Sequence, residues 1–144
     1  MTLTNTRKAV VAAEIAAMFI TTALTYILWN KGLDLSVFIA VVPVVLMAIG
    51  LGISHCRKSD ARIYASNILG SYVWVGLFSM IGLLPIHTVI VFMTIPVALG
   101  CSKTMLNSVE GGEHLIADIA ARTGNLFFIF SVLLSVSFVA AYFI

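Results

Sequence analysis

The sequence predicts an all-α integral membrane protein, a bundle of about five transmembrane helices, and three observations carry that reading. Of 144 residues, 61% are hydrophobic and only 10% are charged, whereas a soluble domain carries roughly a quarter charged residues to face water. The apolar residues lie in long blocks instead of alternating with polar ones, which suits a bilayer as solvent. The basic residues gather at the ends of those blocks. A net charge of +2 is too small to suggest nucleic acid, so the lipid bilayer is the partner that composition implies. The chain reads as one transmembrane domain with no soluble domain attached.

The first span is expected over residues 9–29. Arg7-Lys8 and the apolar run behind them fit the start of a signal peptide. Glu14 interrupts that run, however, and its length of about 20 residues is a spanning length, so it reads as a retained helix. The turn Asn30-Lys31-Gly32-Leu33-Asp34 closes it. The second span, 35–54, contains Pro43, which a membrane helix tolerates where a neighbour or a water satisfies the freed carbonyl. A polar loop from His55 to Arg62 leads into the third span, 63–83, and Leu84-Pro85-Ile86-His87 makes a tight turn. The fourth span, 88–101, is short and contains Pro96. The stretch 102–122 is polar and begins with a loop around Gly111-Gly112. It ends in a short amphipathic helix, 114–122, where Asp118 has His114 and Arg122 at i,i+4 spacing. That helix is expected in the cytoplasmic interface, ahead of the last span, 123–143.

Orientation follows from charge. Five spans put Arg7, Lys8, Arg57, Lys58, Arg62, Lys103 and Arg122 on one side and only Lys31 on the other. By the positive-inside rule the N-terminus is cytoplasmic and the C-terminus lies outside the cytoplasmic membrane. Trp29, at the outer end of the first span, suits the interfacial aromatic belt.

Polar side chains within a span are functional candidates by default. Glu14 lies about 7 Å into the first span, within reach of the interface or of Lys8. On the third span, Asn67, Ser71, Trp74 and Phe78 follow i, i+4, i+7, i+11 and share one face. One reading is hydrogen bonding between helices. The other is a cavity wall, polar near the cytoplasm and aromatic deeper, shaped for an amphiphile with a polar head and an isoprenoid tail. The rows Ala9, Ala13, Ala17 and Ser131, Ser135 let helices approach closely and indicate packing.

Metal and catalytic signatures are thin. Cys56 and Cys101 lack zinc spacing, and in a reducing cytosol they read as free thiols. His55-Cys56 is a weak metal signal, and Glu110, Glu113 and His114 lack a fourth ligand. No metal ligand is therefore assigned. No GxSxG, HExxH, P-loop or Rossmann pattern is present.

Two stretches carry a family resemblance. Arg57-Lys58-Ser59-Asp60-Ala61-Arg62-Ile63-Tyr64 resembles the basic Ala-Arg-x-x-Tyr entry into the seventh helix of the UbiA-type aromatic prenyltransferases, especially the dihydroxynaphthoate branch that makes menaquinone. The second joins Leu84-Pro85 and Ile95-Pro96-Val97-Ala98-Leu99 to the run from Leu115 to Phe128, and is similar to the family's eighth helix, linker and closing helix. Ala13-Glu14 more weakly resembles the start of its fifth helix. The chain thus resembles the C-terminal half of that fold, and the family's orientation agrees with the charge count.

The resemblance implies Mg2+-dependent transfer of a polyprenyl group from an isoprenoid diphosphate to an aromatic acceptor. It makes Arg57, Lys58, Asp60 and Arg62 candidate substrate-binding residues, although cations at a cytoplasmic helix end need no such explanation, and the face of the third span adds Asn67, Ser71 and Trp74. Two departures count against activity of the chain alone. The family's first half, with one acidic motif, is not in this chain, and only Asp60 stands where the second motif belongs. A lone Asp does not cage a magnesium–diphosphate group as several carboxylates do. An oligomer or a partner membrane protein is therefore expected.

Other classes remain open. A non-catalytic membrane subunit or scaffold fits the small-residue faces. A glutathione-linked membrane enzyme matches in length, but Arg62-Ile63-Tyr64-Ala65-Ser66-Asn67 has the wrong spacing for its motif. A transporter fits Pro43 and Pro96 as helix breakers, though five spans without a repeat need oligomerisation to enclose a path.

Overall fold

The structure is a computed structural model that describes residues 2–32, 34–54, 61–107 and 113–144, with side chains described over 8–32, 34–53, 62–106 and 119–144. Every element among the described residues is helical. Five α-helices follow one another: α1 (Thr2–Asn30), α2 (Val37–Ser54), α3 (Ala61–Ile81), α4 (Ile95–Asn107) and α5 (Glu113–Phe143), with a 3-10 segment, Ile86–Thr94, leading directly into α4. Consecutive helices pack side by side, α5 returns against α1, and α2 also touches α5. The result is a closed ring of helices around a shared core.

Local chemistry explains where the helices stop. α1 ends at Lys31, whose φ of 59° takes the left-handed position that caps a helix. Asp34 then accepts a bond from the Leu35 N–H, and the Val37 N–H bonds back to the Asp34 carbonyl, starting α2. α3 ends in a Schellman motif. Gly82 has φ of +87°, its N–H bonds the Ser79 carbonyl, and the Leu83 N–H reaches the Phe78 carbonyl. Pro85 follows and prevents the helix from resuming.

The fourth element differs from the expected short helix over 88–101. It runs from Ile86 to Asn107, and its first nine residues are 3-10. Proline is the reason. Pro96 has no N–H to offer the Phe92 carbonyl four residues back, and that carbonyl accepts the Ile95 N–H three residues on. Thr88 and Thr94 add side-chain bonds to the carbonyls three residues before them, of Pro85 and Val91. Pro96 itself sits in the first turn of α4, where a missing N–H costs nothing. At about 2.0 Å per 3-10 residue and 1.5 Å per α residue, the element spans roughly 37 Å.

The end of the chain differs as well. Residues 114–122 do not form a separate interfacial helix but belong to one 31-residue helix, α5. Gly124 alone does not break it, because a single glycine costs only about 1 kcal/mol in a helix interior.

The core is apolar and aromatic. Tyr26, Met47, Leu51, Tyr64, Ile68, Phe127, Phe130, Leu134 and Phe138 are buried at its centre. α2 and α3 pack tightly at Gly50, where an added Cβ would stand 2.6 Å from Ile68 Cδ1. The outside is apolar too: Ile20 and Leu24 on α1, Val73 and Met80 on α3, and Ile129 and Val136 on α5 are exposed. Three stretches, Lys8–Asn30, Ile86–Leu106 and Ile119–Phe143, are long and apolar enough to cross a membrane. Val37–Ile53 is apolar but shorter, and α3 is not among the three.

Candidate functional site

Helix α3 holds the described part of the candidate site. Arg57, Lys58 and Asp60 lie outside the described residues, as do His55 and Cys56. Arg62 is exposed one residue into α3 and engaged with a partner. The side chains of Glu110, Glu113, His114 and Asp118 also fall outside the description. Glu14 is half-buried on α1.

The stripe Asn67, Ser71, Trp74, Phe78 runs along the α2 side of α3, and its donors serve the helices. Asn67 Nδ2 donates to the Ile63 carbonyl at 2.8 Å, and Ser71 Oγ donates to the Asn67 carbonyl at 3.0 Å. Trp74 Nε1 crosses to α2 and donates to the Ile39 carbonyl at 2.8 Å. Ile39 is four residues before Pro43, so its carbonyl is the one that proline leaves without a helical donor. The Trp74 and Phe78 rings lie against each other, centroids 4.5 Å apart. Asn67 and Trp74 keep an edge exposed, whereas Ser71 is buried.

A second stripe on α3, Tyr64, Ile68, Tyr72, Val75, Ser79, was not singled out from the sequence, and it organises the rest of the bundle. Tyr64 OH meets Thr123 Oγ1 on α5 at 2.5 Å, and Thr123 donates to the Ile119 carbonyl. Tyr72 OH meets Thr94 Oγ1 at 2.6 Å, and Thr94 donates to the Val91 carbonyl. Ser79 Oγ meets Thr88 Oγ1, which donates to the Pro85 carbonyl. Each threonine has a single proton, already directed at its own backbone, so the α3 hydroxyl is the donor in every pair. Three such relays bind α3 to the 3-10 segment and to α5. Tyr72 also packs edge-on against Phe130, centroids 5.3 Å apart. Cys101 is buried and its thiol lies at the Tyr64 hydroxyl. The sequence signal for this stripe was the spacing 64, 68, 72, 75, 79, which keeps one face of a helix.

Among the described residues no three His, Cys, Asp or Glu side chains gather as a metal site. Asp60 is the one carboxylate in the α2–α3 loop, and with it that loop and the described residues offer fewer oxygens than a magnesium–diphosphate group requires.

No family model matches the chain, and neither does any curated protein or solved structure.

Proposed function

We propose that the protein is a multi-pass protein of the cytoplasmic membrane, a UbiA-like homologue that binds an isoprenoid diphosphate at the start of α3 and takes part in polyprenyl transfer to an aromatic quinone precursor. The observation that carries this reading is the gradient along one face of α3. The amide of Asn67 lies near its start and the rings of Trp74 and Phe78 about two and three turns further on, while cationic Arg62 stands at the helix start but well around the axis from this face. Such a face suits a charged head with an apolar tail, and Arg57 and Lys58 would add cations at the head. The positive-inside rule supports a cytoplasmic position for this basic end of the bundle. Catalysis in this reading needs carboxylates from a partner membrane protein or a second copy, since Asp60 alone does not supply them.

A second reading, a non-catalytic membrane subunit, is favoured by one specific observation. Asn67 and Ser71 spend donors on carbonyls of their own helix, and Trp74 spends its donor on the Ile39 carbonyl of α2, an interhelical bond of the kind that holds membrane helices together.

Prenyl transfer in membranes lacking their own menaquinone prenyltransferase separates the two. The chain is expressed alone and given polyprenyl diphosphate, dihydroxynaphthoate and magnesium, and binding of labelled diphosphate is measured in parallel. Product that a chelator abolishes supports the transferase. Diphosphate binding that Arg62→Ala weakens, without product, supports dependence on a partner. An inserted chain with neither product nor binding is a structural subunit.

A further inference from the structure

Most hydroxyls in this bundle are spent on a carbonyl one turn back along their own helix. Thr21, Ser71, Thr104, Thr123 and Ser137 all do this. Thr22 on α1 and Ser131 and Ser135 on α5 do not. They are 0%, 0% and 6% exposed, and their side-chain oxygens have no hydrogen-bond partner among the described residues.

The three belong to one seam. α1 packs along α5, and the rings of Tyr26 and Trp29 both lie against Phe138. Thr22 is one turn before Tyr26 on the same face of α1. Ser135 and Ser131 are three and seven residues before Phe138, on the same face of α5. In a ring of five helices that alternate in direction, α1 and α5 run parallel. The register at Tyr26–Phe138 therefore puts the three hydroxyls at neighbouring levels, directly beneath an aromatic cap.

We propose that this α1–α5 seam is a buried water-binding site. Each hydroxyl offers one donor and two acceptor positions and no charge. A divalent cation would need six or more oxygens, several of them anionic, and an anion would need positive charge that Thr22, Ser131 and Ser135 do not bring. A water molecule satisfied by two to four polar partners is the ligand that this set fits. Three hydroxyls left unbonded in apolar surroundings would consume a large share of a small bundle's stability. The serines at 131 and 135 are then more than small residues that let helices approach: they hydrate the contact on which α1 depends.

The test compares Thr22→Val, Ser131→Ala and Ser135→Ala, singly and together, by unfolding in detergent micelles. A bound water shared by the three predicts that each single change lowers the folding constant about five- to tenfold. The triple variant, with no polar group left to serve, should lose much less than the product of the three. Single changes that are neutral or stabilising, and that simply multiply, would overturn the proposal. Radiolytic hydroxyl labelling gives an independent reading, because water bound in the seam generates radicals beside Tyr26 and Phe138, which are 1% and 0% exposed. Oxidation of these rings in the native protein, lost in the triple variant, is the expected result. Rings that stay unmodified in the native protein would contradict it.

Discussion

The Trp74 indole N–H donates to the Ile39 carbonyl, the acceptor that Pro43 strips of its own helical donor. A helix break in α2 is thus repaired from α3 by a residue 35 positions away. Such a repair has to come from protein wherever water is scarce, since an unsatisfied carbonyl in an apolar medium costs several kcal/mol.

Trp74→Phe keeps an aromatic ring, smaller than the indole, and removes the donor. It should destabilise the bundle by about 1–3 kcal/mol, the penalty for leaving a buried acceptor unpaired. Pro43→Ala restores an N–H to bond Ile39 within α2, so the same tryptophan change should cost far less in that background. A double-mutant cycle by unfolding in micelles measures the coupling, and simple additivity would refute the repair.

Gly50 gives a prediction with its own suppressor. Gly50→Ala pushes a methyl into Ile68 Cδ1, and overpacking of this kind costs about 1–3 kcal/mol. Ile68→Val removes that very carbon. The pair should therefore recover most of the stability lost in the glycine variant alone, read by the same unfolding assay.

The two tyrosine relays should behave independently. Tyr64→Phe and Tyr72→Phe each remove one donor to a threonine that keeps its bond to its own backbone, for a cost of about 1 kcal/mol each. The two positions are about 12 Å apart along α3, so the double variant should lose the sum. A much larger joint loss would mean that the relays act as one network.

Lys31 holds a left-handed conformation that glycine adopts without a Cβ penalty. Lys31→Gly should stabilise the end of α1 by about 0.5–1 kcal/mol. A fall in the midpoint of thermal unfolding would show that the side chain contributes more than its backbone strain costs.

The all-helical architecture was legible in the sequence because long apolar blocks bounded by turn residues leave few alternatives. Pro43 signals a carbonyl that a neighbour or a water has to satisfy, but periodicity alone does not name Trp74 as the donor. The fourth element extends beyond the expected 88–101 at both ends. Local patterning shows a proline, but not that the carbonyl behind it will take a 3-10 partner and lengthen the element. The break expected at residue 122 failed because a polar stretch was read as a separate helix when no residue there terminates one. On α3 the stripe with an amide and an indole stands out in the sequence, while the Tyr64–Tyr72–Ser79 stripe does not. Its function shows only when Thr123, Thr94 and Thr88 are brought opposite. Arg57, Lys58 and Asp60, the most suggestive candidates, lie outside the described residues, so their role rests on sequence and resemblance.

Topology tests the central claim, a bundle that crosses the membrane with its basic ends in the cytoplasm. In a background with Cys56→Ser and Cys101→Ala, single cysteines replace Lys31, Lys103 or Ile144, and intact cells are exposed to a membrane-impermeant maleimide. Labelling at positions 31 and 144 without permeabilisation, and at 103 only after it, is the expected result. Labelling of position 103 from outside together with position 31, or extraction of the chain from membranes by alkaline carbonate, would contradict the account.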